Sequence, residues 1–300
     1  MKVNILYEIS DNPYGGGNQF LKALKKEFVK KGLYASEKEA DVLLYNSHHN
    51  LSAVEKLKTR FPDKKFIHRV DGPIRLYNNM EDQRDFVVYE ANHRFADGTV
   101  FQSEWSSKAN IDLGMKMYQP SKVIHNAVDS SIFFNQKLTK NSKKKRIIAA
   151  SFSPNSNKGF EFYKKLEEAL DPLKYEFYFA GQSPVYFSNN LGCLGSVELA
   201  AQLNLSDVYV TASRNDPCSN SLLEAISCGI PVLALNSGGH PELVKDPNML
   251  FNNVTEAKGL IQKICFDKNS TALLTPRRRL SDVAEEYLGF FREVYESSRV

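Results

Sequence analysis

Three hundred residues exceed the usual single domain and suit two, and 42% hydrophobic with 25% charged residues is ordinary for a globular protein. The net charge of +4 comes with no basic stripe interleaved with aromatics, so no nucleic-acid partner is expected. "MKVNILYEIS" is too short for a signal peptide, no run nears about 18 apolar residues, and Cys193, Cys218, Cys228 and Cys265 form no CxxC pair, which together argue for a cytoplasmic protein with reduced thiols and no zinc site.

In chain order, "VNILYEI" reads as a short apolar strand. "GGGNQFLKALKKEFVKKG" reads as a glycine turn and a helix, with Phe20, Leu21, Leu24 and Phe28 at helical spacing. "ADVLLYNS" is a strand, "LSAVEKLKTRFP" a helix stopped by Pro62, and "KKFIHRVDGP" a strand entering a loop. "DFVVYEANHRFADG" is a helix, "TVFQS" a strand, "EWSSKANIDLG" a helix and "SKVIHNAV" a strand. "DSSIFFNQKLTKNSKKKR" is polar and lysine-rich, lacks an apolar period, and reads as a linker over about residues 129–145.

The alternation then restarts. "RIIAASFS", "YEFYFAG", "DVYVTAS" and "IPVLALN" read as strands, and "GFEFYKKLEEAL", "VELAAQLNL", "NSLLEAISCG" and "HPELV" as helices. "TEAKGLIQKIC" and "LSDVAEEYLGFFREVYESS" are amphipathic helices. Strands alternating with helices call for parallel sheets covered on both faces, here an amino-terminal domain at 1–143 and a carboxyl-terminal one at 144–300. Two such halves set a cleft between two sheets, with ligands beyond the carboxyl ends of the strands.

Charge divides unevenly: 22 Lys+Arg face 17 Asp+Glu up to residue 143, and 17 face 18 beyond it. The basic half suits a lipid phosphate or an anionic membrane surface, and ordinary solvated lysines on helices account for it more simply.

The most informative stretch is "RNDPCSNSLLEAISCGIPV", from Arg214 to Val232. Its loop follows a strand, and Ser219 or Asn220 can cap the next helix. The backbone N–H groups of Asn220, Ser221 and Leu222 then form a first turn suited to a phosphate. Glu224 lies one turn in and Asp216 lies in the loop before, so two acids can grip hydroxyls of a ligand whose phosphates sit on the helix end. Nucleotide sugars have that layout. Acids that merely favour the positive end of a helix fit the spacing as well.

The stretch "RNDPCSNSLLEAISCGIPVLALNSGGHPELV" resembles the signature of family-4 retaining glycosyltransferases, an acid, seven residues, then Glu, followed by a Gly-Leu/Ile-Pro-Val step. Asp216 stands where that family usually has Glu. "VIHNAVDSSIF" is similar to its domain junction, with Ala127 where Gly is usual. "SFSPNSNKGFEF" is similar to the start of its second domain: Lys158 matches the lysine that holds the donor diphosphate, and Ser153 stands where an arginine is expected. "CLGSVELAAQLNLSDVYVTAS" resembles the stretch passing the donor base, with Val197 near it. Gly15, Gly16 and Gly17 sit where the family's first βα loop faces the diphosphate, and they lack the G-x-G-x-x-G spacing of a dinucleotide oxidoreductase.

The resemblance also implies that His68 and Asp71, in "FIHRVDGP", lie near the reacting sugar, His68 at the end of its strand and Asp71 in the following loop. Arg69 and Arg75 would serve anionic acceptor groups or form surface salt bridges, and His48 and His49 make no metal pattern. It implies a GT-B architecture, two facing Rossmann-like domains with parallel sheets and a cleft between them. The last helix would cross back to the first domain. The activity would be sugar transfer from a nucleotide-diphosphate sugar to a glycan or lipid-linked hydroxyl, with retention and without a metal or other cofactor. The cytoplasmic location would include the inner face of a membrane. A non-catalytic nucleotide-sugar or glycan-binding protein on the same fold is the alternative.

Overall fold

The computed structural model describes residues 1–10, 16–78, 80–140, 142–266 and 277–297. Two compact units emerge: Met1–Ser10, Gly17–Ala127 and Arg279–Val300 form the first, Asp11–Gly16 and Val128–Arg278 the second.

The first unit is built on a five-stranded parallel sheet in the order β1 (Val3–Leu6), β2 (Val42–Asn46), β3 (Lys65–Val70), β4 (Gly98–Phe101), β5 (Ser121–Val123). Between them run α1 (Gly16–Lys30), α2 (Leu51–Arg60), α3 (Ile74–Tyr77), α4 (Arg84–Phe95) and α5 (Glu104–Asp112). The period-2 alternation of strand side chains decides which helix covers which face. Val42 and Leu44 join α1 in one core, while Leu43 and Tyr45 join Val54 of α2 on the opposite face. A parallel bridge from Val3 to Tyr34 explains how both faces are reached. The chain leaves β1 through α1 to Tyr34 beside β1, then returns to β2 on its other side, so winding reverses at β1.

Helix α11 (Leu280–Ser297) completes this unit. Leu280, Val283, Ala284, Tyr287, Leu288, Phe291 and Val294 recur at helical spacing, all are buried, and they lie in the same core as α1. At about 1.5–3 kcal/mol for each large apolar side chain, that stripe fixes where the helix docks.

The second unit carries a six-stranded parallel sheet, formed by β6 (Lys145–Ser151), β7 (Tyr175–Gly181), β8 (Asn189–Asn190), β9 (Val208–Thr211), β10 (Val232–Leu235) and β11 (Leu250–Phe251). Its spatial order is β8-β7-β6-β9-β10-β11, the doubly wound order with its switch point between β6 and β9. Helices α6 (Phe160–Ala169), α7 (Ser196–Asn204), α8 (Asn220–Cys228), α9 (His240–Val244) and α10 (Val254–Phe266) connect the strands. The chain enters this unit at Val128, earlier than residue 143, because Val128 and, within the segment read as a linker, Phe133 are buried in its core. Among the described residues no helix is long and apolar enough to cross a membrane.

Candidate functional site

The switch point of the second sheet gathers the charged groups. Past the end of β6 a single 3-10 turn, Ser156–Lys158, closes on Gly159. Gly159 has φ 85°, and an added Cβ would lie 2.5 Å from the Ala212 carbonyl oxygen, so only glycine lets the turn lie against the strand end of β9. Lys158 is thereby delivered to Asp216: Nζ donates to Oδ2 at 2.9 Å. The Cys218 N–H donates to Oδ1 at 3.2 Å, and the Ser213 hydroxyl approaches Oδ2 at 3.4 Å. From β10 the Gly238–Gly239 loop seals the other side. The Gly239 N–H donates to the Asp216 carbonyl at 2.9 Å, and a Cβ on Gly238, φ 61°, would sit 2.4 Å from that same oxygen. Burial works to raise the Asp216 pKa, but Lys158, His240 and the hydrogen bonds outweigh it and hold the acid below its ordinary value.

Glu224 has the opposite fate. It faces inward from α8, is 8% exposed, and its carboxyl has no hydrogen-bond partner among the described residues. Burial alone pushes its pKa up to about 8. Ser219 holds the N-cap position of α8, but its side chain makes no cap bond; its hydroxyl lies 3.3 Å from that of Ser221, which accepts from Tyr209 at 2.8 Å. Asn220, Ser221 and Leu222 form the first turn, with the Leu222 side chain in the core. Val197 stands in the first turn of α7, 69% exposed. The Ser153 hydroxyl accepts from the Asn155 N–H at 3.3 Å and helps shape the turn that carries Lys158.

His240, one residue past Gly239, went unnoticed in the sequence because it reads as part of a helix turn. It is fully buried, its Nδ1 lies 2.9 Å from the Leu235 carbonyl, and its Nε2 is buried without a partner among the described residues. Donation from Nδ1 leaves Nε2 as the bare acceptor. Burial, the largest influence, lowers its pKa against the pull of Asp216.

In the first unit, a polar cluster lies at the carboxyl edge of the sheet. Asp71 follows β3 with its side chain 34% exposed, held by Arg69 at 2.9 Å, by Asn46 at 3.3 Å and by Gln102. Arg69 also donates to Asn46 and, at 2.9 Å, to Asn126. It is fully buried, and Arg75, its side chain 11% exposed, pairs with buried Asp85 at 3.1 Å, so neither forms the surface salt bridge expected of it. His68 also differs from the reading that put it beside a sugar. Strand β3 runs on to Val70, which places His68 inside the strand rather than at its end. It is fully buried and stacked on Tyr45 at 4.2 Å, with Nε2 2.9 Å from the Ser47 carbonyl and Nδ1 3.1 Å from Asn92 Nδ2. Burial lowers its pKa to about 4, so it is a neutral core histidine with both nitrogens engaged. Gly16 and Gly17 open α1, and Gly15 lies outside the described residues. Among the described residues no group of three or more His, Cys, Asp or Glu is placed to hold a metal ion.

Residues 144–266 match the family model of the glycosyl transferases group 1. A curated relative, uncharacterized protein 356 of Sulfolobus islandicus rod-shaped virus 1, is 25% identical over 187 residues, a match covering 54% of this chain and 52% of the relative. The chain thus spans about half the length of that relative. Among solved structures it is similar to sucrose-phosphate synthase from Thermosynechococcus elongatus, at TM-score 0.66 and 16% identity over 94% of this chain and 79% of that one. Anabaena HepE in complex with UDP-glucose gives 0.65 and 16% over 92% and 81%. The α,α-trehalose-phosphate synthase of Burkholderia xenovorans, in complex with glucose-6-phosphate, gives 0.64 and 11% over 92% and 77%. At these identities the likeness is one of fold.

Proposed function

We propose that this chain, whose residues 144–266 match the family model of the glycosyl transferases group 1 and whose two parallel sheets have the GT-B fold, is a retaining, metal-independent glycosyltransferase that moves a sugar from a nucleotide-diphosphate donor to an acceptor hydroxyl. The observation that carries this reading is Glu224 of α8, a buried acid whose carboxyl has no hydrogen-bond partner among the described residues; α8 follows β9, the immediate neighbour of β6, whose following turn presents Lys158. A buried acid without a partner is costly, and ribose hydroxyls donating to it would supply what the protein does not.

Each group then has a task. The first-turn N–H groups of α8 and Lys158 neutralise the diphosphate as the bond from the anomeric carbon to the phosphate oxygen breaks. Asp216 holds a sugar hydroxyl and offsets positive charge developing on the ring. The acceptor hydroxyl forms the new bond on the face the diphosphate leaves, and its proton passes to a phosphate oxygen. The Asp71 cluster of the first unit is assigned to the acceptor, a glycan or lipid-linked alcohol. The basic first 143 residues suit one presented at an anionic membrane face.

The test is a panel of nucleotide sugars in a thermal-shift assay, since a ligand bound only by the native state raises its melting temperature. A hit is then assayed for transfer and for slow donor hydrolysis. Stabilisation with neither reaction would favour a non-catalytic nucleotide-sugar-binding protein; no stabilisation by any donor would refute both.

A further inference from the structure

The loops that follow the carboxyl ends of the second sheet's strands span residues 152–159, 182–188, 191–195, 212–219, 236–239 and 252–253, and they contain two cations, Lys158 and Arg214. Lys158 is already paired with Asp216 at 2.9 Å, so that pair adds no net charge to the edge. A diphosphate carries more negative charge than one neutralised ammonium offsets, and Ser153, where an arginine would complete the clamp, has only a hydroxyl.

Arg214 is the uncommitted cation. Its backbone N–H donates to the Asn157 carbonyl at 2.7 Å, so its Cα lies beside the turn that carries Lys158. The next residue, Asn215, is held in the left-handed region at φ 54°, its N–H on the Ser237 hydroxyl at 3.2 Å. A non-glycine residue in that region costs free energy and persists only where the surroundings enforce it. Here Asn157, Ser237 and Gly239 pin the loop from both neighbouring strand-ends. The Arg214 side chain is exposed and makes no hydrogen bond or ion pair among the described residues.

We infer that Arg214 is the second cation of the diphosphate site, supplied from β9's loop in place of the arginine missing at Ser153. The inference rests on the nucleotide-sugar reading above. A guanidinium suits this task because its planar fork matches two phosphate oxygens, while Lys158 acts as a point charge.

UDP, GDP and ADP are titrated into the full-length protein by calorimetry, and the nucleoside of whichever binds is measured by competition. Arg214→Ala should weaken the diphosphate at least about tenfold, the scale of a charge-assisted contact, and change nucleoside affinity less than about twofold. Arg214→Lys should restore part of the loss. Glu224→Gln should weaken diphosphate and nucleoside alike. If Arg214→Ala keeps the parent's ratio of diphosphate to nucleoside affinity while Glu224→Gln weakens both, the donor reading stands and the assignment of Arg214 is wrong. If the parent binds none of the three diphosphates, both fall.

Discussion

Glu224→Gln tests the site through stability alone, without a substrate. In the unfolded chain the Glu224 carboxyl titrates near 4.5, and in the folded protein burial pushes it to about 8. Between those values the folded state keeps a proton that the unfolded state releases. Stability from this group is therefore complete below about pH 4.5 and is lost as pH rises through about 8. At about 1.4 kcal/mol per tenfold change in proton affinity, the full effect is up to about 5 kcal/mol, of which about 4 falls between pH 5 and 9. Glutamine cannot ionise, so the variant should lack this slope and should overtake the parent at alkaline pH. Urea unfolding at a series of pH values, followed by far-ultraviolet circular dichroism, reads it. The single tryptophan, Trp105, belongs to the first unit, so its fluorescence gives an internal control that should be indifferent to the substitution. A saturating donor should flatten the parent's slope, because its hydroxyls would give the carboxylate the missing partners. Parallel pH dependences for parent and variant would refute the idea that this acid is buried, unpaired and protonated.

Lys158→Ala leaves the buried Asp216 charge without its partner and should cost about 3 kcal/mol of stability, much of it regained in a Lys158→Ala/Asp216→Ala double variant; strictly additive losses would show that the pair is not coupled. Asp216→Asn keeps size and removes charge, so kcat should fall while the nucleotide alone, facing a Lys158 no longer neutralised, binds at least as tightly as before, and a parental rate would reduce Asp216 to a structural acid. His68→Ala should destabilise the first unit by about 2–4 kcal/mol and leave nucleotide binding by the second unit intact, since His68 bonds only within its own core; selective loss of turnover in a folded variant would return it to the site. EDTA should leave the transfer rate unchanged, and a loss restored by Mg²⁺ or Mn²⁺ would contradict a metal-free reaction.

Local chemistry alone made much of this protein legible. Apolar runs bounded by turns and followed by 3.6-period helices fix parallel α/β units, and the spacing of Asp216 and Glu224 around a helix start fixes which loop and helix carry the acids, because both are properties of neighbouring residues. What the linear pattern cannot hold is the environment that a distant segment supplies. His68 and Asp71 are three residues apart and look equivalent in "FIHRVDGP", yet β3 continues past His68, seals it between Tyr45 and Asn92, and leaves Asp71 half-exposed. Asp216 and Glu224 are both acids of one motif, yet only the tertiary structure brings Lys158 across 58 residues to one and nothing to the other, so one stays charged and the other is protonated to about pH 8. Ionisation depends on the solvent and charges around a group, and those are set by packing between strands that the sequence lists far apart.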